Sequence, residues 1–188
     1  MPMRAVAVLR ALCILCIPAR AVADEPAQQA AQAPPNDGSQ RQLSIKGEAG
    51  YEYGWIFGVP VQSALIRAGI GRQNDFDAQY FTVAARYGLT SVGLTTWDLR
   101  VGGEGDLFRS GILRLGLGAE AGVLSMVRAT NGNNAPALTI GVSGHAGADL
   151  VRWGPRDAHA LTLDLRAEGH AFLAGVHFGP SLVLGLRY

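Results

Sequence analysis

The sequence predicts an all-β protein: an eight-stranded antiparallel up-and-down β-barrel that follows an export signal and a short leader. Eight segments between residues 43 and 188 alternate apolar and polar residues with period two, which places one residue class on each face of a strand. Gly, Asn, Asp and Pro, the residues of tight turns, separate most of these segments. The longest later apolar run, residues 112–124, is interrupted by Arg114 and Glu120, so no spanning helix is predicted.

The first 23 residues have the three-part pattern of a secretory signal peptide. Arg4 and Arg10 form a basic region, residues 11–17 are apolar, and Ala21-Val22-Ala23 is a small-x-small cleavage site. The apolar run is far shorter than the ~20 residues that a membrane anchor needs. We therefore expect residues 1–23 to direct export and to be removed.

The cysteines and the following segment define what the mature chain contains. Cys13 and Cys16 both fall within the signal, so we expect no disulfide and no cysteine metal site after cleavage. Residues 24–42 are rich in Ala, Gln and Pro and show no periodicity, which predicts a disordered leader. Residues 43–188 then have the length of one domain, the barrel.

The eight predicted strands each supply the ~9–11 residues that a tilted membrane strand needs. The connection between the third and fourth strands has the weakest turn signals, Ser91 and Gly93, which leaves the register there open. Gly105-Asp106 predicts the next turn. The predicted strands are residues 43–53, 62–72, 76–89, 93–105, 108–126, 137–151, 159–172 and 175–188.

Alternation alone does not decide which face of the sheet is outside. A soluble periplasmic barrel of the lipocalin kind, which would bind a ligand, would turn its apolar face inward and keep its charges in water. Three features favour the inverted, transmembrane arrangement: the charged face is rich in short residues, Lys46 is the only lysine, and aromatic residues lie at the strand ends, as in the two belts of membrane barrels. These aromatic residues are Tyr51, Tyr53, Trp55, Phe57, Tyr87, Trp97 and Phe172 toward one rim and Phe76, Phe108, Trp153 and Tyr188 toward the other.

The last predicted strand carries Leu182, Leu184 and Leu186 at alternate positions and ends on Tyr188. This resembles the closing strand of small bacterial outer-membrane β-barrel proteins, the eight-stranded OmpA/OmpX-like class. The resemblance implies that these four residues form the signal that the barrel assembly machinery reads during insertion. It also implies a monomer in the outer membrane of a Gram-negative cell, in contact with outer-membrane lipid and lipopolysaccharide. An even strand number places both chain ends on the periplasmic side.

The polar face of the barrel is predicted to fill the lumen with a charge network. Eight strands leave an interior only wide enough for side chains, and buried charges must be paired and hydrogen-bonded. This predicts a plugged lumen and a structural or surface-interaction role, with a narrow proton or small-ion path as the alternative. The network residues are Lys46, Glu48, Glu52, Arg67, Arg86, Asp98, Arg100, Glu104, Arg114, Glu120, Asp149, Asp164, Arg166, Glu168 and Arg187.

Three histidines on the last three strands could, with a carboxylate, form a metal-ligand set. His145 lies in mid-strand, whereas His177 lies near the outer rim, and His170 is on the strand between them. We therefore expect hydrogen-bonding histidines, no metal site and no cofactor. The net charge of +1 gives no electrostatic reason to expect a nucleic-acid partner.

A lipid-modifying enzyme, similar to a lipid A deacylase, is the other functional class. Ser143 and His145 have the spacing that puts both on one face, and Asp164 and Glu168 lie on the next strand. That face points inward, away from acyl chains, so we expect no catalytic residue and no enzymatic activity.

Overall fold

The computed structural model describes residues 42–74, 77–128, 134–154 and 158–188, which form a closed antiparallel barrel. Each strand pairs with the next along the chain, and β8 pairs with β1. The predicted fold class and strand number are confirmed. No helix within these four ranges is long and apolar enough to cross a membrane. The strands are β1 (Gln42–Ile56), β2 (Val59–Gln73), β3 (Ala78–Thr90), β4 (Leu94–Ser110), β5 (Leu113–Arg128), β6 (Asn134–Trp153), β7 (His159–Phe172) and β8 (Gly175–Arg187).

Several predictions fall outside the described residues. The predicted signal peptide and the leader up to residue 41 lie outside them, whereas Gln42, the last predicted leader residue, already belongs to β1. Phe76 of the predicted aromatic belt and residues 129–133, which separate the sixth predicted strand from the fifth, also lie outside them.

The predicted turn between the fourth and fifth strands is wrong. Gly105 and Asp106 pair within the β4–β5 ladder, opposite Leu117 and Gly116. A β-bulge directly after Asp106 takes up one extra residue, so the strand continues to Ser110 instead of ending. The turn lies at Gly111-Ile112, where Gly111 adopts a φ of 56° that favours glycine. Phe108 therefore belongs to β4 and not, as predicted, to β5.

The turn between β1 and β2 has only two residues, and both have positive φ, 54° for Phe57 and 77° for Gly58. The type I′ hairpin turn requires this conformation, which is unusual for a bulky residue. The Phe57 ring packs edge-on against Phe172 with 5.2 Å between ring centroids. A Cβ on Gly175 would collide with the same ring. Phe57 thus joins the β1–β2 turn to the connection between β7 and β8.

The exposed fractions of the two faces are the reverse of those in a soluble barrel. Outward-facing Ile66 and Leu165 are 63% and 59% exposed, whereas inward-facing Arg100 and Glu168 are each 1% exposed. Large apolar side chains cover the outer face of every strand. Because the sheet closes into a barrel, no edge of these eight strands is left unpaired. The arrangement is therefore the inverted one, and a lipocalin-like barrel with an apolar interior does not describe this chain.

The lumen is not polar throughout. At the end that carries the Phe57-Gly58 turn, four apolar side chains pack together inside the barrel, and we name this cluster the mouth cap: Ile56, Val61, Leu124 and Phe172. Partly buried Met126 and Ala137 pack against it. The prediction that Phe172 belongs to an aromatic belt is wrong. Phe172 is the last residue of β7 and lies two residues after His170, so both side chains face inward and the Phe172 ring enters the lumen. The cap lies on the side of the lumen charges away from the chain ends.

Candidate functional site: the lumen charge network

All the residues predicted for the lumen network lie inside the barrel and are buried. Ion pairs connect the inward charges into two groups, with no ion pair between the groups among the described residues. The central network contains Lys46, Glu48, Glu52, Arg67, Arg86, Asp98, Arg100, Glu104, Glu120, Arg166 and Glu168, together with His170 and His177. The basal network, at the end with the chain ends, contains Asp106, Arg109, Arg114, His145, Asp149, Arg152, Asp164 and Arg187.

Glu168 on β7 is the centre of the central network. Its Oε1 accepts a hydrogen bond from Arg67 Nη2 at 2.8 Å, and its Oε2 accepts one from Arg100 Nη1 at 3.1 Å. Arg86 Nη2 also contacts Oε2. The three guanidinium groups come from β2, β4 and β3, so this one carboxylate connects four strands across the lumen. Charge-assisted bonds of this kind are the strong hydrogen bonds of proteins.

The two central histidines extend these pairs toward the mouth cap. His170 Nε2 lies 2.7 Å from Arg100 Nη1, and since a guanidinium group can only donate, Nε2 is the acceptor. His177 Nδ1 accepts in the same way from Arg86 at 3.2 Å and from Arg100 at 3.3 Å, while its Nε2 faces Glu52 Oε1 at 2.7 Å. The His170 Nε2 and His177 Nδ1 lone pairs therefore face arginine donors, and the second ring nitrogen of His177 lies beside the Glu52 carboxylate.

Arg166 holds the part of the central network nearest the chain ends. Its Nη2 donates to both oxygens of Glu48 at 2.9 and 3.0 Å, and its Nη1 donates to Glu104 Oε2 at 2.9 Å. Lys46 shares both carboxylates, with Nζ 3.1 Å from Glu48 Oε1 and in contact with Glu104. The same Nζ lies over the ring of Tyr80, 4.8 Å from its centroid, a cation–π contact.

The basal network is built around two aspartates. Arg114 donates from Nη2 to both oxygens of Asp164 at 3.0 Å, and its Nε lies 3.0 Å from Asp149 Oδ1. Asp149 also accepts from Arg187 Nη2 at 2.9 Å and from Arg152 Nε at 2.9 Å. Arg152 and its neighbour Arg109 are less buried than the rest, because they lie at the rim.

Sequence reasoning missed Asp106, which pairs with His145 Nε2 at 2.9 Å. It was assigned to a turn because it follows Gly105. The sequence could have indicated an inward-facing Asp106, because it lies two residues after Glu104 and this spacing puts both carboxylates on one face of a continuous strand. Arg109 and Arg152 were missed because both follow a bulge, which interrupts the alternation.

Comparison with solved structures finds similar barrels. The crystal structure of Neisserial surface protein A matches with a TM-score of 0.54 and 14% sequence identity, over 79% of this chain and 97% of that one. The chain has the eight-stranded outer-membrane β-barrel fold. Ail, the attachment invasion locus protein of Yersinia pestis, solved with the heparin analogue sucrose octasulfate, matches with a TM-score of 0.47 and 15% identity, over 78% of this chain and 97% of that one. The N-terminal β-barrel domain of Pseudomonas aeruginosa OprF gives 0.39 and 17%, over 79% and 100%.

Only the first of these scores exceeds 0.5, so the fold comparison rests on it, and at this identity it concerns the fold alone. No protein-family model matches the chain. No curated protein matches it either.

Among the described residues, the lumen side chains that come nearest to a metal-ligand set do not fit a metal ion. His145 belongs to the basal network, so the three histidines considered from the sequence do not converge. Glu120, Glu168 and His170 do bring three possible ligand atoms within 4.8 Å of one another. Guanidinium groups already contact each of them, and the His170 Nε2 lone pair accepts from Arg100. A cation there would displace these donors and would face several fixed positive charges.

The serine and histidine considered for lipid chemistry both face the lumen of the barrel. Ser143 and His145 are 4% and 6% exposed, and His145 Nε2 is bonded to Asp106. A groove on the outer face lies over the same strands and is lined by Leu117, Val142 and Phe178 among others; Ser143 also lines it, but the Ser143 hydroxyl oxygen is buried. An acyl chain in this groove would be separated from the Ser143 hydroxyl by the sheet itself. The arrangement does not resemble a nucleophile with its base.

Proposed function

We propose that this chain is an integral outer-membrane protein whose lumen is closed by its two charge networks and the mouth cap, with a structural or surface-interaction role and no transport function. The observation that carries the proposal is Glu168, which holds arginines from β2, β3 and β4 across the middle of the lumen. A solute crossing the barrel would have to break several buried ion pairs at once, and breaking even one is costly. The mouth cap adds an apolar layer in the same path.

The outer face supports membrane lipid and lipopolysaccharide as the surroundings of the barrel. Apolar side chains continue into the described turns at the mouth-cap end, where Phe57, Val92 and Leu173 are exposed. These turns are short, because β2 begins three residues after β1 ends and β8 begins three residues after β7 ends. A large receptor loop is therefore not part of these two connections. We propose that the barrel is a monomer that the assembly machinery inserts through the β8 end, Leu182 to Tyr188.

Fractionation tests the membrane location. The full-length chain, expressed with its own N-terminal residues in a Gram-negative host, is expected in the outer-membrane fraction, with an electrophoretic mobility that changes on heating. Heat modification reports a barrel that resists detergent while cold. Recovery of the folded chain from the soluble periplasm would contradict the proposal. A variant lacking residues 2–23 is the matched control and is expected to stay in the cytoplasm.

Planar-bilayer recording tests the closed lumen. We expect the purified, refolded chain to insert without steady conductance, because the ion pairs and the mouth cap fill the interior of an eight-stranded barrel. Heat-modifiable mobility of the same preparation verifies that the inserted protein is folded. Steady, large conductance from the folded protein would show that the lumen is open and would favour the ion-path alternative.

We propose no catalytic role for the barrel. The inward direction of Ser143 and the pairing of His145 with Asp106 support this. Incubation of the refolded protein with lipid A, followed by mass spectrometry, tests it. Loss of an acyl chain that Ser143→Ala abolishes would replace this proposal with a lipid-modifying activity.

A further inference from the structure

The central network has more acidic than basic groups. Six carboxylates, from Glu48, Glu52, Asp98, Glu104, Glu120 and Glu168, meet five cationic side chains, from Lys46, Arg67, Arg86, Arg100 and Arg166. All are deeply buried. The basal network has the opposite imbalance, but its additional arginines lie at the rim, and no ion pair among the described residues joins it to the central group. One negative charge in the middle of the lumen is thus without a cation.

A buried, uncompensated carboxylate is expensive, and such a group takes up a proton instead. The histidines cannot supply the missing positive charge. His170 Nε2 and His177 Nδ1 each accept a hydrogen bond from an arginine, so a proton on either nitrogen would point at a guanidinium group. The proton must therefore be on a carboxylate of the central network.

The geometry distinguishes among the six carboxylates. Glu120 has one close cationic contact, Oε1 with Arg67 Nη2 at 2.7 Å, and that arginine also serves Glu104 and Glu168. Its Oε2 is buried and accepts no hydrogen bond. The histidine and arginine nitrogens that approach Oε2 are His170 Nε2 at 3.8 Å and Arg100 Nη1 at 3.9 Å, both too distant for a hydrogen bond.

Glu120 also lies beside a second carboxylate. A Glu120 oxygen, a Glu168 oxygen and a His170 ring nitrogen lie within 4.8 Å of one another. Like charges at such a distance cannot both be held without cost, and Glu168 has three arginines whereas Glu120 shares one.

Asp98 and Glu52 also have buried oxygens without a hydrogen bond, but each has a close ionic partner of its own. Asp98 Oδ2 lies 2.5 Å from Arg100 Nη2. Glu52 Oε2 lies 2.6 Å from Arg86 Nη1. Both oxygens of Glu52 are in contact, because its Oε1 lies 2.7 Å from His177 Nε2.

We propose that Glu120 is a buried proton-binding site: its carboxyl group is neutral in the folded barrel at neutral pH and balances the charge of the central network. Glutamine has the same shape as a neutral glutamic acid and no charge, so it can replace Glu120 without changing the charge balance. The inference rests on the charge count and geometry of the lumen and does not depend on whether the barrel conducts or where in the cell it lies.

Three single variants of the full-length, refolded chain test the site: Glu120→Gln, Asp98→Asn and Glu168→Gln. The temperature at which the folded electrophoretic band is lost measures their stability. We expect Glu120→Gln to melt at or above the wild-type temperature, and Glu168→Gln to melt ~10 °C lower, because only the second removes a carboxylate that three arginines share. Glu120→Gln melting as far below wild type as Glu168→Gln would overturn the proposal.

Infrared spectroscopy at neutral pH provides a direct measurement on the folded barrel, even if Glu168→Gln fails to fold. The wild-type chain is expected to show the carbonyl stretch of one protonated carboxyl group, which is resolved from the carboxylate bands. Glu120→Gln is expected to lose this band and Asp98→Asn to keep it. A wild-type spectrum without the band, or a band that Asp98→Asn removes and Glu120→Gln keeps, would place the charge balance elsewhere and refute the assignment.

Discussion

Replacing Glu168 with glutamine is expected to lower the free energy of unfolding by about 3–5 kcal/mol, the typical cost of removing one partner from a buried ion pair. Glu168 contacts Arg67, Arg86 and Arg100, and none of these guanidinium groups can lose its proton at accessible pH. An amide would leave their charges without the carboxylate that all three share. Urea unfolding of the barrel refolded into lipid vesicles measures the change.

The matched control for this prediction is Glu168→Asp, which keeps the charge and shortens the side chain. We expect a smaller loss of stability, because water or side-chain adjustment can bridge the added distance more easily than an absent charge can be replaced. Equal stability of Glu168→Gln and wild type would mean that the shared carboxylate does not stabilise the lumen.

Placing an arginine on the outer face at Leu165 is expected to cost about 2–4 kcal/mol, as charged residues do at the midplane of a membrane barrel. Leu165 lies at the middle of β7, pairs with Ala146 and Leu182, and is 59% exposed on the apolar face. In the proposed membrane location, lipid around this position would offer the guanidinium group neither water nor a counter-charge. Vesicle-based urea unfolding of Leu165→Arg measures the loss.

Val92→Arg is the matched control, since Val92 is similarly exposed but lies in the turn between β3 and β4. Near an interface the same substitution costs about 0–1 kcal/mol. The difference between the two variants separates membrane depth from side-chain exposure. Equal and small losses at both positions would show that the middle of β7 is not surrounded by lipid.

Strand number, strand parity and the location of the charges followed from alternation, because period two is a direct consequence of strand geometry. The bounds of β7 agree with the prediction at both ends. The β3–β4 connection, where the register was left open, is a three-residue turn at residues 91–93, close to its weak signals Ser91 and Gly93. The predicted charge positions lie inside because a narrow closed sheet leaves no other space for inward side chains.

The period-two pattern of the sequence could not predict the structure where strand pairing is irregular, nor identify inward-facing residues that are apolar. Gly105-Asp106 predicted a turn, but Gly and Asp also occur within strands, and β4 continues through a bulge at Leu107. Inward Leu65 and Val183 were not singled out because each lies between outward apolar neighbours, in runs that obscure the alternation. Contacts among strands distant in sequence, such as Arg67 with Glu168, depend on barrel stagger, which a single strand does not encode.

The pairing of β1 with β8 has a consequence for how the barrel forms. Tyr188 and Ile45 exchange two backbone hydrogen bonds, N to O at 2.6 and 2.7 Å, across the greatest sequence separation in the sheet. Joining such distant segments carries the largest loop-closure entropy, so β-hairpins can assemble while the sheet is still open. Until this last ladder forms, water can hydrate the arginines and carboxylates from the open edge. Dehydration of the interior therefore coincides with ring closure, and partly closed sheets are expected to be short-lived intermediates.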